Sequence, residues 1–320
     1  MSTSLTVLET AQNLPAALGP DLATAIDLAK AEKAASTRKA YGTDFRLFKA
    51  WCDARGVPSL PAAPETVAAY LAAHASTSKA STLGRRVAAI RYAHRLAGLA
   101  LPTDAEGVKA TMRGIRRTYG SARVRKAPAV AGKMLGMVAT APDKIAGLRD
   151  RALLLIGFGG ALRRSELVAL DVADIEETET GLLVTIRGGK TDQERAGATI
   201  AIARGDIACP AKALRAWLDA AGIESGAIFR PIDKGGTTRD LRLTDRSVAN
   251  IVKAYAERAG FDASAFSGHS LRAGFLTSAA GKGASIFKMM DVSRHKSVDT
   301  LRGYVRDAEL FKDHAGAGLL

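Results

Sequence analysis

The chain has 320 residues, of which 47% are hydrophobic and 24% are charged, which is enough for about two globular domains. Lysine and arginine total 46 against 32 acidic residues, so the net charge is +14. A chain this basic most often binds a polyanion, with nucleic acid as the leading candidate, although some soluble proteins are basic without such a partner. The two cysteines, Cys52 and Cys209, lie far apart in the sequence and form no metal-ligand spacing, so they indicate neither a zinc site nor a disulfide framework.

The sequence predicts no membrane segment. The longest apolar run, residues 152–162, is shorter than the roughly 20 residues that cross a bilayer as a helix. The first residues lack the basic stretch that opens a secretion signal. We therefore expect a cytoplasmic protein.

Helical periodicity dominates the first part of the chain. Residues 1–20 have mixed composition and are predicted to be a flexible N-terminus. Ser36 resembles a helix N-cap, and Pro64 suits the first turn of another helix. Together these signals indicate a helical domain over residues 21–120. The predicted helices cover residues 21–33, 36–55, 64–74, 81–99 and 103–119.

Basic residues are dense on this domain and just after it. Such density on adjacent helices favours contact with nucleic-acid phosphates, whereas the usual alternative is a solvated helix face. The candidate DNA-binding residues are Lys79, Arg85, Arg86, Arg113, Arg116, Arg117, Arg123, Arg125 and Lys126.

A linker is predicted over residues 121–129. This segment has no hydrophobic periodicity, contains a proline and carries three basic residues, so it suits a basic connection that crosses a DNA backbone. The second domain is then predicted over residues 130–320, with a C-terminal tail at 306–320.

The second domain combines helices with one β-hairpin. Residues 181–187 and 198–203 are apolar runs typical of strands, and the polar loop between them contains Lys190. The sequence therefore predicts a mainly α fold with a small antiparallel β-hairpin or sheet, divided into two domains. Helices are predicted over residues 148–158, 165–170, 210–221, 244–258, 270–280 and 297–305.

Three segments of this domain supply cations suited to a phosphate group. Arg163 precedes one predicted helix, Arg272 lies at the start of another, and Lys190 lies in the hairpin loop. Arginine matches phosphate oxygens with its planar fork, and such cations offset the charge of a phosphoryl-transfer transition state. Each residue taken alone is more often an ordinary surface residue, so the prediction depends on the whole set.

Histidines and a tyrosine complete the set. His269 lies three residues before Arg272, so their side chains can share one face at the helix start. His295 and Tyr304 follow, in a chain with five histidines and six tyrosines. A tyrosine hydroxyl has a reference pKa of about 10. It therefore needs neighbouring cations and a base to act as a nucleophile near neutral pH.

The joint pattern resembles the tyrosine recombinase (phage integrase) family, from Ala34 to the end of the chain. The resemblance implies a helical SAM-like core-binding domain followed by an α+β tyrosine-recombinase catalytic domain. The matching segments are Ala161-Leu-Arg-Arg-Ser-Glu-Leu, Gly189-Lys-Thr, Gly268-His-Ser-Leu-Arg-Ala-Gly, Arg294-His-Lys-Ser and Thr300-Leu-Arg-Gly-Tyr-Val-Arg.

The resemblance implies a covalent mechanism. Tyr304 would attack a DNA phosphodiester and form a 3′-phosphotyrosyl bond, and Arg163 and Arg272 would clamp the phosphate. Glu166 would support the site, and Arg164 would be a surface neighbour of Arg163. No cofactor or metal is expected, because the bond energy is stored in the phosphotyrosine and the cations take the place of a metal.

Three further residues receive roles from the same resemblance. Lys190 would protonate the departing 5′-oxygen, His269 would act as a general acid or base near the tyrosine, and His295 would hydrogen-bond a phosphate oxygen. The implied partners are double-stranded DNA, further copies of the chain in a tetramer on DNA, and accessory DNA-bending proteins. The tail is expected either to dock on a neighbouring copy or to pack on its own domain.

Two other functions remain open at this point. A type IB topoisomerase-like enzyme uses the same chemistry for DNA strand passage but joins no two sites. A catalytically silent, architectural DNA-binding protein would share the fold and would lack at least one member of the residue set.

Overall fold

The structure, a computed structural model, describes residues 20–21, 24–25, 27–28, 32–121, 126–188 and 197–308, with the backbone alone for residues 307 and 308. The chain divides into two compact units, Met1–Val124 and Arg125–Leu320. Nearly all of the predicted flexible segment, much of the predicted helix 21–33 and the tail from residue 309 lie outside the described residues.

The first unit is built from helices and their connecting segments over residues 32–121. Its side chains Phe48, Tyr70, Leu83 and Ile90 are fully buried and form the centre of its core. The helix that contains Ser36 begins at Ala35, so Ser36 lies inside the helix and its prediction as an N-cap is wrong. The helices are α1 (Ala35–Asp53), α2 (Pro64–Ala73), α3 (Ala80–Leu96) and α4 (Glu106–Tyr119), with a 3-10 turn at Pro102–Asp104.

The second unit is α-helical around one small sheet, which confirms the predicted fold class. Its main core surrounds one helix, in which Leu153, Leu154 and Ile156 are fully buried. The helices are α5 (Ala131–Ala139), α6 (Ile145–Gly159), α7 (Arg164–Ala169), α8 (Pro210–Ala221), α9 (Asp245–Arg258), α10 (His269–Gly281), α11 (Ile286–Ser293) and α12 (Val298–Ala308).

The sheet has three antiparallel strands in the order β1 (Ile175–Glu177), β2 (Gly181–Ile186) and β3 (Ala198–Ala203). Strands β2 and β3 form the predicted hairpin, with Leu183 opposite Ala201. Strand β1 was not predicted, because three residues of which two are acidic carry too little hydrophobic pattern.

Residues 126–131 contact α10 and the segment just before it, although the sequence predicts that residues up to 129 belong to the linker. The Ala127 N–H donates to the Ala265 carbonyl at 2.8 Å, and the Ala129 N–H donates to the Ser270 carbonyl at 2.9 Å. A methyl group on Gly274 would lie 2.0 Å from the Ala129 carbonyl oxygen, so only glycine permits this close approach. The segment therefore fixes the position of α10.

Helices α10, α11 and α12 share a smaller apolar cluster. Leu276 of α10, Met289 of α11 and Leu301 of α12 are almost completely buried in it, and Tyr304 packs against them while remaining partly exposed. Helix α12 is therefore held against α10 with Tyr304 at the edge of the cluster. None of the helices in the described part of the chain is long and apolar enough to cross a membrane.

Candidate active site

A buried carboxylate joins the elements of the candidate site. Glu166 lies in the first turn of α7 and is 2% exposed. Its Oε2 atom accepts the backbone N–H of Arg163 at 2.8 Å, which satisfies a free donor at the helix start. Its Oε1 atom accepts Nη1 of Arg163 at 2.5 Å. The carboxylate thus holds both the backbone and the side chain of Arg163.

A second guanidinium group, which sequence reasoning missed, binds the same carboxylate. Nη2 of Arg294 donates to Oε2 of Glu166 at 2.5 Å, and Nη1 donates to the Val292 carbonyl at 3.0 Å. Arg294 adopts φ 56° and ψ 39°, in the left-handed region, directly after α11. The one available signal was its position beside His295 in a matching segment.

Arg272 is buried and is held by neutral carbonyl groups. Its Nη1 atom donates to the Ala161 carbonyl at 2.6 Å, and its Nη2 atom donates to the Ser293 carbonyl. Ala161 has φ 44°, an unusual backbone angle for a residue with a side chain, and it immediately precedes the Leu162-Arg163 segment. The carbonyl dipoles therefore orient the guanidinium group without cancelling its charge.

His295 lies beside Arg272 in a defined tautomer. Both ring nitrogens are 3.3 Å from Nη2 of Arg272. The Ser293 hydroxyl donates its one proton to the Met289 carbonyl at 2.6 Å, so at 2.8 Å it can only accept from Nδ1 of His295. Nε2 of the neutral ring is consequently unprotonated.

The electrostatics of the site favour an incoming anion. Burial, followed by the charge of Arg163, lowers the pKa of Arg272 to about 10. Burial raises the pKa of Glu166, but the charge of Arg294 and the hydrogen bonds from Arg163 outweigh it, so this pKa lies below its ordinary value. Two guanidinium groups pair with one ionised carboxylate and Arg272 adds a third positive charge, so the site has net positive charge.

The same field keeps His295 neutral. Burial lowers the pKa of His295 to about 4, and the charges of Arg272, Arg163 and Arg294 act in the same direction. Proton uptake by this ring near neutral pH therefore requires an additional negative charge nearby.

The remaining predicted site residues are placed less closely. Tyr304 lies on α12, near enough to Arg272 to influence its pKa. His269 is the first residue of α10, one turn before Arg272, and it is exposed. Its backbone N–H donates to the Ser267 hydroxyl at 3.2 Å. Lys190 falls outside the described residues.

Arg164 helps to lock α7 against α10 and is not only a surface neighbour. A methyl group on Gly268 would lie 1.9 Å from Cδ of Arg164, so the side chain passes directly over this glycine. Its guanidinium group ends 3.8 Å from the Asp245 carboxylate. A side chain at position 268 would therefore displace the Arg164 side chain from this position.

Some of the candidate DNA-binding residues are already engaged within their own unit. Arg85 binds the buried Asp44 carboxylate through Nε at 2.6 Å, and Arg113 binds Glu106. Nζ of Lys126 donates to the Ser264 carbonyl at 2.6 Å.

The other candidates differ in exposure. Arg86 is partly buried, with its guanidinium carbon 5.7 Å from the centre of the Tyr70 ring. Lys79, Arg116 and Arg117 are exposed, and Arg123 and Arg125 fall outside the described residues. In the described part of the chain, no group of three or more histidine, cysteine, aspartate or glutamate side chains is arranged to hold a metal ion.

Comparison with known proteins gives a consistent result. Residues 131–310 match the family model described as the phage integrase family. An integrase/recombinase XerD homolog from Selenomonas ruminantium is 42% identical over 290 residues, which cover 88% of this chain and 85% of that protein.

Two solved structures share the fold. The Tn1549 transposon integrase in complex with transposon right end DNA aligns with a TM-score of 0.62 at 13% identity, over 87% of this chain and 94% of that one. The lambda integrase tetramer bound to a Holliday junction aligns with a TM-score of 0.61 at 17% identity, over 88% and 74% of the two chains.

The depressed pKa of His295 predicts a specific pH dependence in the DNA-free protein. Its imidazole NMR signal, assigned by comparison with H295Q, should stay at the neutral position from pH 8 down to about pH 5. Because the folded protein binds this proton less readily than the unfolded chain, the free energy of unfolding should fall as the pH drops from about 6.5 toward about 4. A signal that titrates near 6.5 would contradict the described environment.

Proposed function

This chain belongs to the phage integrase family of tyrosine recombinases, and we propose that it cuts and rejoins DNA at specific sites through a covalent bond between Tyr304 and a DNA 3′-phosphate. The observation that supports this assignment is the cluster of Arg163, Arg272 and His295, which come from separate segments. The buried Glu166 carboxylate binds Arg163, and Arg272 lies 3.3 Å from His295 and close enough to Arg163 for its pKa to be lowered. Such a cluster suits one phosphodiester group.

Arg163 and Arg272 would bind the scissile phosphate. Arg272 has carbonyl partners and, among the described residues, forms no ion pair with a carboxylate, so its charge stays available to the phosphate oxygens. As the phosphorus becomes five-coordinate its oxygens gain negative charge, and preoriented guanidinium groups stabilise that state more than the ground state. Burial strengthens this effect, because the surrounding dielectric constant is low.

The cleavage step exchanges one phosphate ester for another. The phenol oxygen of Tyr304 forms a bond to phosphorus while the bond to the 5′-oxygen breaks. His269 accepts the phenol proton, and Lys190 donates a proton to the departing 5′-oxygen. A second DNA 5′-hydroxyl reverses these steps and releases the tyrosine, so no external energy source is needed.

His295 responds to the phosphate when it arrives. In the free protein its Nε2 atom carries no proton and cannot donate a hydrogen bond. A phosphate anion beside the ring opposes the field of the arginines and raises the pKa of His295. The protonated ring then donates a hydrogen bond to a phosphate oxygen.

Double-stranded DNA is the substrate, and the exposed basic residues of the first unit supply contacts to its backbone. Lys79, Arg116 and Arg117 are the strongest candidates, because Arg85 and Arg113 already pair with carboxylates. Such contacts contribute affinity and register without reading sequence.

We further place this activity in the cytoplasm, in a tetramer on DNA, with accessory DNA-bending proteins as additional partners. The tetramer is supported by the fold shared with lambda integrase, whose structure is a tetramer bound to a Holliday junction. The two domains are assigned as a DNA-binding domain at residues 21–120 and a catalytic domain at residues 130–320, with the compact units as support.

Removal of residues 307–320 tests the tetramer. If this tail docks on a neighbouring copy, the shortened protein should bind a single DNA site normally and pair two sites poorly. Gel-shift titration measures the first property, and native gels or mass photometry of two-site complexes measure the second. Unchanged assembly of two-site complexes would count against docking between copies.

The substitution Tyr304→Phe tests the chemistry. The variant should bind DNA with unchanged affinity and form no covalent protein–DNA adduct, because it lacks only the nucleophilic oxygen. A nicked suicide substrate and denaturing gels measure the adduct, and wild-type protein is the control. An adduct formed by the variant would show that Tyr304 is not the nucleophile.

A plasmid-relaxation assay and the adduct assay together separate the alternative functions. Relaxation of supercoiled plasmid without a defined site would indicate the topoisomerase-like activity. DNA binding by the wild type with no adduct on any DNA would indicate the architectural role.

A further inference from the structure

We propose that Arg294 is a positioning residue for strand cleavage: it shares Glu166 with Arg163 and fixes the turn that carries His295. This inference rests on the proposed function above, since it concerns the same site. Arg294 itself is turned toward Glu166 and the Val292 carbonyl, so it acts through its neighbours.

The left-handed backbone conformation of Arg294 indicates that its side chain makes stabilising contacts. With Ala161, it is one of two residues other than glycine with positive φ in the described part of the chain. Glycine adopts the left-handed conformation at a helix end without steric cost, whereas arginine does not. A bulky residue at such a position is maintained when its side chain makes compensating contacts.

Those contacts are present and largely shielded from water. The Arg294 side chain is 14% exposed, and its guanidinium group is bound at both ends. Burial lowers its pKa, while the Glu166 carboxylate opposes that shift. The ion pair therefore lies in the interior of the site.

Arg294 determines which hydrogen-bond donors each oxygen atom of Glu166 accepts. Oε1 accepts the Arg163 side chain, and Oε2 accepts the Arg163 backbone together with Arg294. Without Arg294, Oε2 would lose a charged partner. A carboxylate beside an arginine favours a bidentate pair, so Glu166 would hold more of the Arg163 fork and compete with the phosphate for it.

The same residue also sets the environment of Arg272. The peptide plane between Ser293 and Arg294 rotates with φ of Arg294, and the Ser293 carbonyl in that plane accepts Nη2 of Arg272. His295 follows immediately in the chain. The turn at Arg294 therefore connects Arg163 and Arg272 with His295.

The test is Arg294→Gly, which keeps the left-handed turn and removes only the side chain. The rate of adduct formation on a nicked suicide substrate should fall about tenfold or more, the size expected when a group that orients a site residue is lost. DNA affinity should change less than about twofold, because the phosphate-binding residues remain. Arg215→Ala, which removes an exposed arginine paired with Glu177, is the matched control and should leave the rate unchanged.

Two further measurements distinguish a positioning role of Arg294 from a general loss of protein stability. In a Glu166→Gln background the added Arg294→Gly change should lower the rate less than about threefold, because the two residues act as one unit. The pKa of His295 should rise above about 4 in the glycine variant, since one of the positive charges that lower it is gone. If the glycine variant does not fold, Arg294→Lys serves in its place and should show a smaller loss in the same direction.

An unchanged adduct rate in the glycine variant would overturn the proposal, and so would an equal fold-loss in both backgrounds. Wild-type protein and Tyr304→Phe are run alongside. If the wild type itself forms no adduct, the proposed function fails. If the wild type forms it and Arg294→Gly does so equally well, only the role of Arg294 fails.

Discussion

The candidate site depends on one buried carboxylate. Glu166 is 2% exposed and receives charged donors from Arg163 and Arg294, which precede α7 and follow α11 respectively. Removing one partner from such a buried group is costly, because the remaining charge is left without compensation. The interaction therefore connects two parts of the second unit that are distant in sequence, and it determines where the guanidinium groups of Arg163 and Arg294 can lie.

The site keeps more positive charge than it neutralises. Arg272 is oriented by the carbonyl groups of Ala161 and Ser293, and burial lowers its pKa to about 10, which still leaves it charged at neutral pH. The pKa of His295 falls to about 4 in the same field. A protein group that satisfied these charges fully would compete with an incoming anion, so the excess charge suits the proposed phosphate substrate.

The sequence predicts the fold class correctly, and it selects residues that the structure brings close together, because the relevant signals are local. The spacing of Arg163 from Glu166, and of Arg272 from His295, together with a β-hairpin of two apolar runs, appears directly in the chain. The left-handed turn at Arg294 has no such signal, since helix ends of this kind are usually recognised by glycine.

Long-range pairing explains the other differences between expectation and structure. Arg85 looked like a free surface cation, but it binds Asp44, a buried residue on another helix. Residues 126–129 looked like a linker, but their backbone hydrogen-bonds to residues more than a hundred positions away. Composition and periodicity carry no information about such contacts.

The most direct measurement of the central claim is an experimental structure of the wild-type protein trapped on a nicked DNA substrate. We expect continuous density from the Tyr304 oxygen to a DNA 3′-phosphorus, with the guanidinium groups of Arg163 and Arg272 about 3 Å from its non-bridging oxygens. A phosphate attached to another residue, or one held beyond the reach of both arginines, would contradict it.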